Sequence, residues 1–153
     1  MATQVAGLIK ETTVSRVWRQ GNLIYKQQPR HMAQNEMYAL DLLKDTEFAP
    51  QSAQWVDGDT ISMEFVEATP ITDPIAFMQW GLFVLDTLKA RGLRHGDLTD
   101  LNIIPRRNVP IIIDWGQSRL WDDPREDKRP EGDAYWLRIS LMKMAHTEVY
   151  CGP

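Results

Sequence analysis

The run His95-Gly96-Asp97-Leu98-Thr99-Asp100-Leu101-Asn102, followed twelve residues later by Asp114-Trp115-Gly116, carries the residue types that phosphoryl transfer to a hydroxyl requires. In that chemistry one carboxylate must reach the acceptor hydroxyl. A second carboxylate and an amide oxygen hold the magnesium that neutralises the β- and γ-phosphates. The five-residue step from Asp97 to Asn102 lets one loop present an acid and an amide together. The apolar run Ile111-Ile112-Ile113 predicts a buried strand that delivers Asp114 to the same place. Either piece alone is commonplace, since an Asp-x-Gly is more often a turn and a His-Gly-Asp says little. Together they make Asp97 the candidate proton acceptor, and Asn102 with Asp114 the candidate metal pair.

These groups must be positioned by regular elements, and the sequence supplies them in two halves. Val5 to Lys10, Arg16 to Gln20 and Leu23 to Lys26 read as short strands, the last two joined by a Gly21-Asn22 hairpin turn. A helix follows from about His31 to Lys44, where Met32, Met37, Leu40 and Leu43 recur at three- and four-residue steps. Ser52 to Val56 and Thr60 to Phe65 predict two more strands around Asp57-Gly58-Asp59. In the second half Asp73 is a good N-cap and Pro74 a good first helical residue, so a helix is expected to about Ala90, ended by Gly92. Asn102 to Pro105 and Pro110 to Asp114 predict a small hairpin, and a last helix is expected from about Gly132 to Thr147. The order is a strand-rich half with one helix, then a helical half, an α+β arrangement in one domain.

Placed in this order, the motifs resemble those of the protein kinase superfamily. His95 to Asn102 is similar to its catalytic loop and Asp114-Trp115-Gly116 to its magnesium-binding triplet, with tryptophan where phenylalanine is usual. Lys26 closes the strand Leu23-Ile24-Tyr25-Lys26 where the family keeps its phosphate-binding lysine, and Glu36 stands ten residues on, at the place of the lysine's partner. Met63-Glu64-Phe65-Val66-Glu67 looks like the hinge, which makes Glu64 and Val66 candidate adenine neighbours through their backbone. Gly96 and Thr99 replace the arginine and lysine of the regulated kinases. His-Gly-Asp-Leu-Thr is therefore similar to the atypical branch: Rio-type kinases, aminoglycoside phosphotransferases and the small kinase of the KEOPS complex. Glu126-Asp127-Lys128 and Asp133-x-Tyr135-x-Leu137 resemble the KEOPS kinase most, with two residues inserted between the pieces.

The resemblance implies a two-lobe fold. A small antiparallel sheet with one helix would fill about residues 1–67, and a short, mainly helical lobe about 68–153. It implies ATP and Mg2+ as ligands, a serine/threonine protein kinase activity and a protein substrate or partner. The phosphate-covering loop falls on Glu11 to Ser15, which holds no glycine; Ser15 could offer a hydroxyl in compensation. With no arginine at position 96, activity is expected to need no phosphorylation of the segment from Gln117 to Pro130, whose only hydroxyl residue is Ser118. A small-molecule kinase and a nucleotide-binding pseudokinase or ATPase switch stand as alternative readings. Taken singly, several residues have plainer roles. His95 reads as a packed structural histidine, Lys26 and Glu36 as a surface pair, Glu64 and Glu67 as solvated, and Asp133 as an anchor for the catalytic loop.

Composition narrows the field further. Of 153 residues, 43% are hydrophobic and 25% charged, a globular balance, and no apolar run approaches the ~20 residues of a membrane span. A net charge of −4 argues against non-specific nucleic-acid binding. A single cysteine, Cys151, excludes an intrachain disulfide, and with no basic-then-apolar amino terminus a cytoplasmic setting is expected.

Overall fold

Short strands whose successive side chains face opposite ways build the first half of the protein. The structure, a computed structural model, describes residues 7–120 and 132–150. Val5, Ala6, Glu126-Asp127-Lys128 and Cys151 lie outside the described residues. Strands β1 (Gly7–Glu11), β2 (Arg16–Gln20), β3 (Leu23–Gln27), β4 (Gln54–Trp55) and β5 (Thr60–Glu64) form one antiparallel sheet in the order β1-β2-β3-β5-β4. Gly21 takes φ +63° in the tight turn between β2 and β3. The register sets Val17 opposite Lys26 and Lys26 opposite Ile61, so these three share one face. Trp18 and Tyr25 stack on the other face, ring centroids 5.7 Å apart.

Helix α1 (Arg30–Leu42) lies between β3 and β4 in the chain and buries Ala33, Glu36, Ala39 and Leu40. These positions recur at three- and four-residue steps, the inward stripe of an amphipathic helix. A glutamate in that stripe requires polar partners beneath it. The following loop inserts Phe48 between the two halves. Ile112 N–H donates to the Phe48 carbonyl at 2.7 Å, and the Phe48 ring meets Phe83 edge-on.

Helix α2 (Pro74–Ala90) starts as the sequence predicts, the Asp73 carboxylate accepting from Ala76 N–H at 3.1 Å. Helix α3 (Gly132–Tyr150) packs on it at Gly81, where an added Cβ would meet Leu141 Cδ1 at 2.7 Å. Beside them lie β6 (Leu93–Arg94) paired with β9 (Arg119–Leu120), and the hairpin β7 (Ile103–Arg106) with β8 (Val109–Ile112). The fold is therefore the expected α+β, a sheet lobe with one helix followed by a mainly helical lobe. Among the described residues no helix is long and apolar enough to cross a membrane.

The departures from expectation have local causes. Ser52 has φ +62°, which breaks the extended run expected from Ser52 to Val56 and leaves only Gln54–Trp55 as strand. Asn102 belongs to a 3-10 turn over Asp100–Asn102 and not to β7. Asp114 is left-handed at φ 64°, so β8 stops at Ile112.

Candidate active site

A cleft of about 370 Å³ opens between the sheet and the β7–β8 hairpin. Val17, Ile24, Met63, Ile104 and Ile113 give it apolar walls, suited to a flat ring. Ser15, Lys26, Glu36, Glu64, Val66, Asn102 and Asp114 supply its polar edge. The sequence spreads these residues over a hundred positions, and the fold brings all of them to one cavity. Asp97 is not part of the lining and stands next to Asn102.

Lys26 is the hub. Its Nζ lies 2.9 Å from Glu36 Oε1 and 2.7 Å from Asp114 Oδ1, with only 11% of the lysine side chain and 1% of the glutamate exposed. The pair is thus buried, not the surface pair that the two residues suggest when taken alone. Burial by itself would depress the lysine, but the facing Glu36 and Asp114 carboxylates outweigh it and hold the ammonium above the usual lysine range. Burial likewise tends to raise Asp114, and Lys26 overrides it to keep the carboxyl below its ordinary value. Glu36 is fully engaged: Oε1 also accepts from Gln28 Nε2 at 2.8 Å, and Oε2 accepts from Trp115 N–H at 2.9 Å. The Asp114-Trp115-Gly116 triplet therefore hangs directly on α1. Asn35 adds a second tie, donating from Nδ2 to the Gly116 carbonyl at 3.2 Å.

The Asp97 loop is held from behind. His95 N–H and Gly96 N–H both donate to Asp133, at 2.7 and 3.0 Å, so the anchor expected at Asp133 is there. Gly96 has φ +87°, and an added Cβ would sit 3.0 Å from the Gln117 carbonyl oxygen; backbone conformation and space both demand glycine. Asn102 Nδ2 donates to the Asp97 carbonyl at 2.9 Å and to Asp97 Oδ2 at 3.1 Å. Both partners can only accept, so the amide nitrogen faces Asp97 and leaves the amide oxygen for the cleft. Among the described residues no cluster of three or more His, Cys, Asp or Glu side chains gathers to hold a metal. The Asn102 amide oxygen and the Asp114 carboxylate fit a hard cation whose remaining ligands come from phosphate and water.

His95 is fully buried, its Nε2 2.8 Å from the Ile113 carbonyl and its Nδ1 accepting from Asp97 N–H at 3.0 Å. The carbonyl can only accept and the amide only donate, which fixes the neutral Nε2–H tautomer. Burial pushes its pKa below the ordinary histidine value of 6.5, against the opposing pull of Asp133, Asp114 and Asp97. A group depressed on folding takes up its proton first in the unfolded chain, so stability is complete above pH 6.5 and declines as pH falls below it. The unfolding midpoint should therefore drop between pH 7 and pH 5, by up to ~1.4 kcal/mol of stability per pH unit, and His95→Gln should flatten that slope. Thermal melts of the two proteins across this range check it. Trp115 packs edge-on against this ring at 4.6 Å, and its indole N–H reaches the Ile112 carbonyl. That bond satisfies the polar group that phenylalanine would lack.

The glycine-free loop closes on itself at Thr12. Thr12 Oγ1 accepts from Val14 N–H and Ser15 N–H, at 3.3 and 3.0 Å, and its hydroxyl lies 3.0 Å from Ser15 Oγ. These two amides are spent on closing the loop on itself, so phosphate contact from them would require breaking the turn. With both Thr12 lone pairs taken by N–H donors, the Thr12 O–H donates to Ser15 Oγ and leaves the Ser15 O–H available to the cleft. Glu64 corrects one expectation. It is half-buried and paired, not freely solvated: Oε1 accepts from Gln51 N–H at 3.0 Å, and Oε2 lies 3.4 Å from Arg106. Glu67 is exposed, as expected. Val66 N–H has no partner among the described residues and borders the cleft. Ser118 is 3% exposed and donates to the Asn35 carbonyl, far from the open hydroxyl of a phosphorylation loop. Gln28 carries no motif and is missed by sequence reasoning. The signal that could find it is its place two residues past Lys26, just beyond the end of β3.

The RIO domain family matches residues 15–134. Comparison with curated proteins finds no match. Among solved structures, the chain is similar to the Rio2 kinase of Chaetomium thermophilum, crystallised as an ADP/Mg2+-phosphoaspartate complex, with a TM-score of 0.67 at 18% identity. The match covers 96% of this chain and 58% of that one, so the present chain spans little more than half the neighbour's length. At this identity the likeness speaks for the fold.

Proposed function

The chain belongs to the RIO domain family, and on that premise we propose that it is an atypical kinase-like phosphotransferase that moves the γ-phosphate of ATP to a hydroxyl of a protein. The observation that carries the reading is the buried Lys26–Glu36–Asp114 triad set at the edge of an apolar cleft. Lys26 would draw the α- and β-phosphates into place, with Glu36 holding it from behind. The adenine would lie between Ile24 and Ile104, its edge against the free Val66 amide. Asn102 and Asp114 would hold magnesium, which supplies charge neutralisation at the phosphates. Asp97 would accept the proton of the incoming hydroxyl. The work of such a site is positioning and electrostatics, for which fixed groups are needed. The triad and the Asp133-anchored loop are fixed by hydrogen bonds on several sides.

A finer resemblance, to the KEOPS kinase, rests on Glu126-Asp127-Lys128 and on Asp133, Tyr135 and Leu137, and supports a role inside a larger assembly. A second reading has its own observation: the self-closed Thr12–Ser15 loop favours an ATP-binding switch or ATPase over a fast kinase. The phosphoaspartate named in the Rio2 kinase complex supports this second reading, in which an aspartate would serve as acceptor. The single cysteine supports a cytoplasmic setting.

The metal assignment is tested by thermal shift. ATP should raise the unfolding midpoint more with Mg2+ than without, and Asp114→Asn should abolish the difference. An ATP effect indifferent to both Mg2+ and Asp114→Asn would remove the assignment.

A further inference from the structure

Gln28 is 3% exposed, deep in the cleft, and none of the roles above uses it. It follows Lys26 by two residues, so the alternation of an extended chain puts both side chains on one side of the sheet. Its Nε2 donates to Glu36 Oε1 at 2.8 Å. Because a carboxylate can only accept, the amide nitrogen must face Glu36, and the amide oxygen must point away. That oxygen is buried and has no partner among the described residues. It looks toward Gly116: a Cβ built there would lie 3.1 Å from Gln28 Oε1 and 3.3 Å from Met32 Cε. The glycine of the Asp-Trp-Gly triplet thus makes the room that Gln28 occupies.

Leaving a buried carbonyl oxygen unpaired is unfavourable. Methionine would fill the same space without that penalty, and the one return of the amide is its bond to Glu36. Glu36 then holds three donors from three elements: Lys26 and Gln28 of the β3 segment on one oxygen, and Trp115 N–H of the metal loop on the other. When phosphates compete for Lys26, two of these donors remain in place. We infer that Gln28 is a positioning residue, whose amide fixes Glu36 and so keeps Lys26 aimed at the phosphates. In a protein whose phosphate loop is closed on itself, this places part of the phosphate-positioning task on the floor of the cleft.

The inference rests on the phosphotransferase reading, and the test separates the two. Wild type, Gln28→Met and Gln28→Glu are compared for thermal midpoint, ATP turnover with Mg2+, and affinity for MgATP and for adenosine. Gln28→Met should keep or raise the midpoint and bind adenosine as wild type does. Its turnover and MgATP affinity should fall roughly tenfold, the worth of one hydrogen bond to a charged group. Gln28→Glu should be weaker still at pH 8 and recover as pH falls toward 6, where the new carboxyl takes a proton and can donate to Glu36. Wild type should show no such recovery. A Gln28→Met protein with wild-type turnover and wild-type MgATP affinity overturns the inference, as does an equal loss for adenosine and MgATP, which would mark a merely structural residue. A wild type that binds MgATP without turning it over removes the phosphotransferase reading instead. Gln28 is then judged on the ratio of MgATP to adenosine affinity, with a fall in Gln28→Met supporting the inference and no change refuting it.

Discussion

Lys26→Ala should lose stability and nucleotide handling at once. The substitution leaves the Glu36 carboxylate, 1% exposed, without its cation and close to the Asp114 carboxylate. Removing one partner of a buried ion pair costs about 3–5 kcal/mol, and the 32% exposure of Asp114 places this case toward the lower figure. Asp114, held below its ordinary 3.8, contributes stability that is present above that value and lost as pH falls through the folded pKa. Lys26, held above 10.5, contributes stability that is present below that value and lost as pH rises through its folded pKa. The wild-type contribution of the pair is therefore fully present from pH 6 to pH 9, and the deficit is read within that window. Adding Glu36→Gln should restore part of the stability, because an amide needs no cation, while MgATP affinity stays low. Denaturant unfolding and a MgATP titration on the single and double variants read both effects. A Lys26→Ala protein as stable as wild type would mean that the triad is not the buried hub described.

Asp97→Asn should do the opposite, keeping ATP affinity and losing transfer by on the order of 10²–10⁴-fold, the usual loss for an acid–base group. Asparagine is the right probe because its side-chain oxygen can still accept from Asn102 Nδ2, the bond that orients the Asn102 amide toward the cleft. Binding is expected to survive because Lys26, Asn102 and Asp114 line the cavity and Asp97 does not. Asp97→Ala, by contrast, leaves Asn102 only the Asp97 carbonyl and should weaken the metal site as well. Steady-state transfer rates beside equilibrium ATP binding check the contrast. Parallel losses of binding and transfer in Asp97→Asn would count against it.

Much of this site is legible in the sequence because chemistry and spacing coincide there. Asp97, Asn102 and Asp114 sit in one loop and at the end of one apolar run, and Lys26 ends a strand that a hairpin turn marks off. Glu36 is found only through the resemblance, ten residues past Lys26; taken alone it reads as half of a surface pair, and its burial emerges only in the fold. What escapes the sequence depends on contacts between distant segments or on single backbone angles. Glu64 looks solvated until Gln51, 13 residues away, and Arg106, 42 residues away, are folded onto it. The closed Thr12–Ser15 turn depends on where one hydroxyl points. The positive φ of Ser52 and the two-residue β6–β9 ladder leave no periodicity to read. The Arg91 clamp, which reaches from the end of α2 to the Leu42 carbonyl and Asp45, joins positions that no motif links. Gln28 is hidden for another reason: glutamine is ordinary at a strand end, and only burial singles it out.

The central claim, that this cleft transfers the γ-phosphate of ATP, is tested most directly by incubating the protein with γ-labelled ATP and Mg2+, alone and with cell extract, beside Asp97→Asn. Label should appear on a protein acceptor with wild type and fall by at least ~10²-fold with Asp97→Asn at unchanged ATP binding. Label that stays on ATP, or that moves equally well with Asp97→Asn, would contradict it.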